Sequence, residues 1–342
     1  MSQPSHATER LREIVEAFPR TTVTALADLV ADEFVYGEIS RVSREAPVLI
    51  LKHRDRSVIP GGGANAINNL ADLGVKVLPI GIVGNDEPGR LLLNAFRQKR
   101  IPLGGVLQDR TFTTVTKTRI LAGMTHSSRQ QVVRIDREPA IEPQPRLIRN
   151  VIEVARRYVR KSDALLVSDY GYGAATPHIF KAVRTGLNRI PITLDSRFRM
   201  LEFSGITAAT PNEPEVEEAL HIRIGNDWKK LLLAGDKLIR RMKLQSLVIT
   251  RGRDGMVAFE RRRKPVDIPI FGSDEVADVT GAGDTVIATF TAALAAGATT
   301  EEAAQLANYA GGVVVMKRGT ATVSRAELLR AMEKAPPATR SH

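Results

Sequence analysis

Asp278-Val279-Thr280-Gly281-Ala282-Gly283-Asp284-Thr285 joins a β-branched run to an apolar segment, and its reading decides the fold. From Thr285 to Ala296 the residues are apolar and small, which predicts a helix starting at the turn. Gly281, Ala282 and Gly283 let backbone N–H groups converge at that helix N-terminus. Unpaired N–H groups and the positive end of the helix dipole both favour an anion there. Asp284 stands inside the same turn, and two readings follow. One is an acidic first turn that steadies a helix start. The other is a proton acceptor for a hydroxyl, set beside N–H groups that hold the charge of a transferring phosphoryl group. No Gly-Lys-Ser/Thr follows, so the turn is not a Walker A loop. Ile287 occupies the place of the third glycine in a dinucleotide fingerprint.

Outward from this turn, strands alternate with helices. Strands are expected at Thr22–Val30, Val75–Val83, Ala164–Ser168, Ile192–Asp195, Ile206–Ala209, Ser246–Thr250, Met256–Phe259 and Val266–Ile268. Helices are expected at Ala64–Leu73, Asp86–Gln98, Arg146–Arg160, Pro177–Leu187, from Pro214, at Trp228–Met242, and over 284–296, 300–316 and 325–333. Such alternation predicts a doubly wound, mostly parallel sheet with helices on both faces. Two segments are β-rich without helices. Residues 36–60 hold short strands at Pro47–Leu51 and Ser57–Ile59, and residues 104–137 hold two or three more. They are expected to pair apart from the main sheet as a small lid. The organisation expected is a helical extension over 1–20 (helix Glu9–Ala17), one large unit over 21–335 and a loose tail over 336–342.

Composition narrows the class. With 43% hydrophobic and 25% charged residues over 342 positions, the chain has ample core for one large domain. No apolar run is long enough to cross a membrane, and the first twenty residues are polar, so no signal peptide and no membrane partner is expected. Cysteine is absent and six histidines are scattered, which removes disulfides and spaced metal clusters and predicts a cytoplasmic protein. The net charge of +11 is gathered at Arg97-Lys99-Arg100, Arg156-Arg157-Arg160-Lys161 and Arg261-Arg262-Arg263-Lys264. Aromatics are only 5% and do not interleave with these clusters, so solvated helix faces are expected rather than a specific nucleic-acid partner.

In an open α/β sheet, ligands bind beyond the carboxyl ends of the strands. Asp28, Asp32, Gly61-Gly62-Gly63-Ala64-Asn65, Asp169, Asp195, Thr210-Pro211-Asn212-Glu213, Thr250-Arg251-Gly252 and Gly255 all fall at such ends. Singly each reads as a turn or cap residue. Together they place acids, Asn and Gly along one edge. Mg²⁺ held through water by Asn212, Glu213 or Asp195 would suit that edge, because Mg²⁺ keeps its waters and needs few protein ligands.

The segment 278–285 resembles the C-terminal signature of the ribokinase-like (PfkB) sugar kinases. Gly61–Ala66 with Val77–Gly89 resembles their N-terminal signature, and the likeness runs from about residue 22 to 333. Tyr36–Val48, Thr116–Arg119, Arg129–Asp136, Leu306–Asn308 and Gly319–Ser324 are similar to bacterial heptose-7-phosphate kinases. The resemblance implies ATP and Mg²⁺ as cofactors and a sugar or sugar phosphate as acceptor, phosphorylated at O1 for the heptose. It implies Asp284 as base and Gly281, Ala282 and Gly283 as anion hole. Asp32, Gly62, Gly63, Asn65, Lys117, Arg134 and Asp136 would lie by the sugar, with Arg119 and Arg129 adding positive charge. Asn212, Thr250, Gly252, Gly255 and Asn308 would lie by the nucleotide, and Glu213 with Asn212 would hold Mg²⁺ through water. A homodimer through the lid is a further expectation, as is a protein with the kinase alone, since no His-x-Gly-His occurs. Three places depart from the pattern. Asp195-Ser196-Arg197-Phe198 replaces Asp-Pro-Lys-Gly, Tyr172 replaces a lysine, and Ala27 replaces a glycine. Arg197 can keep a cationic role with different geometry, whereas Tyr172 cannot.

Overall fold

The computed structural model describes residues 6–123, 130–186, 190–272, 278–317 and 319–334. The first part of the chain runs α1 (His6–Ala17), β1 (Thr22–Ala27), β2 (Leu29–Val42), β3 (Leu49–Gly62), α2 (Gly63–Asp72), β4 (Lys76–Gly84), α3 (Glu87–Gln98), β5 (Val106–Asp109), β6 (Val115–Gly123) and β7 (Gln130–Arg137). It continues with α4 (Pro145–Val159), β8 (Ala164–Asp169), α5 (Pro177–Arg184), β9 (Ile192–Ser196), β10 (Ala208–Ala209) and α6 (Glu213–Leu220). The last part is α7 (Trp228–Met242), β11 (Ser246–Thr250), β12 (Met256–Glu260), β13 (Val266–Ile268), α8 (Ala282–Ala295), α9 (Thr300–Val315) and α10 (Arg325–Lys334).

Nine strands form the central sheet in the order β13-β12-β11-β10-β9-β8-β1-β4-β5. Pairing is parallel from β5 to β11, and only β12 and β13 run antiparallel at the edge. Every residue of β8 is buried, which explains its unbroken apolar run: helices cover both its faces. Residues of α1, α2, α3, α8, α9 and α10 share one core cluster, among them Val15, Ile67, Phe96, Phe290 and Leu306. Residues of α4, α5, α6 and α7 share the cluster on the other face, including Val151, Phe180 and Leu238. The helix after the glycine turn, α8, is buried from Asp284 to Ala293 and packs against α2, α9 and the sheet. A helix apolar on all sides is stable only in such a position.

A second, four-stranded sheet has the order β3-β2-β6-β7. β2 pairs antiparallel with β3 and parallel with β6, and β6 pairs antiparallel with β7. This is the expected lid, with three corrections. The strand expected over Thr22–Val30 ends at Ala27, and after Asp28 the chain enters the lid as β2. The two short strands expected within 36–60 are one continuous strand, Leu49–Gly62. Residues Val106–Asp109 leave the expected lid segment and add an edge strand to the main sheet beside β4. Alternating Thr and Val show that a strand forms, but not which sheet edge accepts it. The helix end expected at Leu187, Arg129 and the expected tail lie outside the described residues. Among those described, no helix is long and apolar enough to cross a membrane.

Candidate active site

The helix that begins at the glycine turn, α8, packs against β1, β8 and β9. Gly281 caps that helix with φ 79°, a backbone that L side chains rarely adopt. A Cβ there would stand 2.6 Å from Asn65 Nδ2, so conformation and space both require glycine. Around Gly283 space is open, as a site that admits a ligand needs. The N–H of Ala282 donates to the Val279 carbonyl at 3.2 Å, so a phosphoryl oxygen would compete for it.

Asp284 is 3% exposed. Its Oδ1 accepts from the Tyr170 hydroxyl at 2.8 Å and its Oδ2 from Asn65 Nδ2 at 3.1 Å. Burial pushes its pKa up to about 7, against the pull of these two donors and of Lys117. A carboxylate poised near neutral pH suits a general base. Asn65 is held in turn, because Asn69 Nδ2 donates to its Oδ1 at 3.2 Å. Asn69 Oδ1 accepts from Thr285 Oγ1 (3.1 Å) and from the Val323 N–H (3.2 Å). Together these bonds tie α2 and the 319–324 segment to the first turn of α8.

The lid brings cations over this site. Asp32, Lys117 and Asp136 form one cross-strand row, and Phe34, Arg119 and Arg134 form the next. Asp32 Oδ1 pairs with Arg119 at 2.5 Å and its Oδ2 accepts from Thr320 Oγ1 at 2.8 Å. Lys117 is 8% exposed, and its ammonium lies 5.4 Å over the Tyr170 ring. Burial lowers its pKa first and the nearby Arg197 lowers it further. Arg134 and Asp136 form a bidentate pair at 2.8 and 2.9 Å at the outer margin. Gly62, with φ 51°, and Gly63 carry the chain from lid to α2. A Cβ at Gly63 would meet the Asp28 carbonyl at 2.7 Å.

Asp28 and Asp169 are structural. Asp28 accepts from the N–H groups of Tyr170, Tyr172, Ala174 and Ala175 at 2.8–3.2 Å and so shapes the loop after β8. Asp169 pairs with Arg199 and accepts from Ser196 Oγ at 2.8 Å.

The sequence places Mg²⁺ by Glu213 and Asn212, and the structure shows two further acids close by. Glu213 Oε1 pairs with Arg251 at 2.9 Å, which engages the carboxylate expected to hold Mg²⁺. Asn212 caps α6, and Glu215 completes a capping box with it. Glu215 and Asp195 are both partly buried, and both pKa values are raised by burial first. Glu215 also raises that of Asp195, as do Asp284 and Asp169. Two acids that repel in low dielectric, with Asp195 also in electrostatic reach of the base, suit a divalent cation that keeps waters for its other positions. Among the described residues no three acids or histidines cluster.

Thr250, Gly252 (φ 55°) and Gly255 (φ 79°) build the turn after β11, where the Thr250 N–H donates to the Pro211 carbonyl at 3.0 Å. Asn308 spends its amide nitrogen on the Pro269 carbonyl at 2.8 Å, so it holds the facing loop. Tyr170, Glu215, Thr320 and Asn69 were missed as site residues from sequence. Glu215 carried a signal in its place three residues after an Asn cap, and Thr320 in its place within the Gly319–Ser324 stretch. The three basic clusters lie at the C-terminal ends of α3 and α4 and just after β12, at the opposite edge of the sheet, away from Asp284.

Residues 30–327 match the pfkB family of carbohydrate kinases. The bifunctional protein HldE of Geobacter sulfurreducens is 40% identical over 307 residues, covering 89% of this chain and 61% of that protein. HldE of Gluconobacter oxydans is 36% identical over 330 residues, covering 95% of this chain and 67% of that one. The chain thus spans only about 61% of the length of the first of these relatives. Arabidopsis thaliana ribokinase, solved with ribose and ATP, is similar at TM-score 0.71 and 19% identity, covering 92% of this chain and 99% of that one. Escherichia coli phosphofructokinase-2, solved with substrates and products, gives TM-score 0.74 at 16% identity, covering 92% and 98%. These structures share the ribokinase-like arrangement of a large α/β sheet and a small second sheet. The family match runs through both sheets, from β2 into α10, and with it the chain belongs to the pfkB family of carbohydrate kinases.

Proposed function

We propose that the chain transfers the γ-phosphoryl group of ATP to a hydroxyl of a phosphorylated sugar, foremost O1 of D-glycero-D-manno-heptose 7-phosphate. The observation that carries this reading is the buried Asp284, poised near pH 7, beneath a lid that presents Lys117 and Arg119. The similarity to HldE proteins supports the heptose. Asp284 takes the proton of the acceptor hydroxyl as its oxygen bonds to phosphorus and the bond to the β,γ-bridging oxygen breaks, its electrons leaving on ADP. Gly281 and Gly283 N–H groups hold the transferring oxygens at the positive end of α8. Asp195 and Glu215 would hold Mg²⁺ through water, and the bound ion would supply charge neutralisation on the nucleotide. Lys117, Arg134 and Asp136 bind the sugar phosphate, with Asp32, Gly62, Gly63 and Asn65 beside it. Asn212, Thr250, Gly252, Gly255 and Asn308 form the nucleotide side. Closure of the lid excludes water that would otherwise hydrolyse ATP. Exposed Val132, Val133 and Ile135 on β7 support a homodimer through the lid, and a cytoplasmic location goes with the same reading.

A second acceptor class follows from one observation. The Tyr172 hydroxyl donates to Glu138 at 2.9 Å where a lysine would present a cation. Another phosphorylated sugar would then fit the altered margin better. ADP release with Mg·ATP against heptose 7-phosphate, sedoheptulose 7-phosphate, fructose phosphates, ribose, fructose and adenosine tests both readings. Turnover confined to heptose 7-phosphate supports the first, and preference for another phosphorylated sugar supports the second. Turnover only on unphosphorylated acceptors overturns both.

A further inference from the structure

Tyr170 is the donor that meets the catalytic turn from the far side of the sheet sequence, in the loop between β8 and α5. Its hydroxyl donates to Asp284 Oδ1 at 2.8 Å, while Asn65 from α2 donates to Oδ2. The carboxylate is therefore held by two donors from two separate elements. Each oxygen keeps a further lone pair for an acceptor hydroxyl. Tyr170 is itself fixed. Its N–H donates to the Asp28 carboxylate at 3.0 Å, and three further N–H groups of its loop bond the same carboxylate. The Lys117 ammonium lies 5.4 Å above its ring. A Cβ on Gly62 would come within 3.4 Å of Tyr170 Cε2, so the ring seats against the lid-to-α2 backbone. The phenol touches base, lid cation and glycine strand at once.

We propose that Tyr170 is the positioning residue of this kinase: it aims the Asp284 carboxylate at the acceptor hydroxyl and keeps it ionised. The proposal rests on Asp284 being the base. The phenol stays protonated, because burial and then Asp284 push its own pKa well above the ordinary value. It therefore remains a donor to the carboxylate across the working range. A hydrogen bond to the charged form favours that form. The other charges facing Asp284 are Lys117 from β6, which favours ionisation, and Asp32 from β2, which opposes it. Asp195 on β9 is a third electrostatic neighbour, and its charge would also oppose ionisation. Asp32 is compensated by Arg119. Among the described residues, Tyr170 and Asn65 bond the carboxylate directly.

Tyr170→Phe removes one oxygen and leaves the ring packing. With heptose 7-phosphate as acceptor, kcat at pH 7 is expected to fall about fivefold, and about tenfold at pH 6, while KM for ATP stays within about twofold. The acid limb of kcat against pH is expected to rise by about one pH unit, with kcat recovering toward wild type near pH 9. A second readout needs no acceptor. In protein labelled with ¹³C at aspartate carboxyls, the resonance missing from Asp284→Asn belongs to Asp284. Its titration midpoint is expected to rise by about one pH unit in Tyr170→Phe. An unmoved midpoint overturns the proposal, as does an equal loss of kcat at every pH. If wild-type protein does not phosphorylate heptose 7-phosphate, the acceptor assignment fails and the carboxyl titration alone decides the role of Tyr170.

Discussion

Asp284→Asn should abolish turnover and stabilise the protein, and the stabilisation should grow with pH. The carboxyl pKa rises from 3.8 to about 7 on folding, with burial the largest cause. A group whose folded pKa is raised costs nothing below its unfolded pKa, where both states are protonated. The cost builds as pH climbs from 3.8 toward 7 and is complete above it. At 1.36 kcal/mol for each pH unit, ionised Asp284 costs the fold about 4 kcal/mol at pH 8. At pH 5.5 the same relation gives about 2 kcal/mol. The variant escapes this cost but sets its new amide nitrogen against a donor, Asn65 or Tyr170, at a loss of about 1–3 kcal/mol. A net gain of about 2 kcal/mol at pH 8 is expected, falling by about 2 kcal/mol by pH 5.5. Urea unfolding of both proteins from pH 5.5 to 8.5, without nucleotide or metal, measures it. A pH-independent difference, or one that shrinks as pH rises, refutes the assignment of a strained buried carboxylate. In the same variant kcat should fall at least 10²-fold with ATP still bound, and retention of more than about a tenth would remove Asp284 as base.

Arg134→Ala should raise KM for a phosphorylated acceptor far more than KM for ATP, and equal changes would take Arg134 off the sugar side. Asp28→Ala leaves four loop N–H groups without their acceptor, so urea titration should show a loss of about 3–5 kcal/mol together with a weakened kcat. Glu215→Gln should raise the Mg²⁺ concentration for half-maximal rate at least severalfold, whereas Glu213→Gln should leave it unchanged; the reverse order would restore the assignment read from sequence. Gly281→Ala should reduce kcat by more than tenfold, because φ 79° and the Asn65 amide 2.6 Å from a Cβ both oppose it, and near-normal kcat would show that the turn relaxes freely.

Local pattern carried much of this protein. The β-branched and apolar runs, the Pro and Gly punctuation and the 278–285 turn were enough to read the parallel sheet, the helices over Trp228–Met242 and the α8 start, and the base candidate within it. These features depend on contacts between near neighbours in the chain, or on an apolar face that any partner can cover. What the sequence left open depends on pairs far apart in it. Whether Val106–Asp109 joins lid or core turns on which sheet edge is free, and β4 accepts it. Asp28 and Asp169 look like site acids until the loop N–H groups and Arg199 are seen to engage them. Glu213 and Glu215 stand two residues apart on one helix turn. Only the fold points one at Arg251 and the other toward Asp195. Tyr170 reaches Asp284 across 114 positions of chain. Residue types and their spacing set what each segment could do; which carboxylate is neutralised, which caps a helix and which is left poised near neutrality was decided by burial and by partners that only tertiary packing supplies.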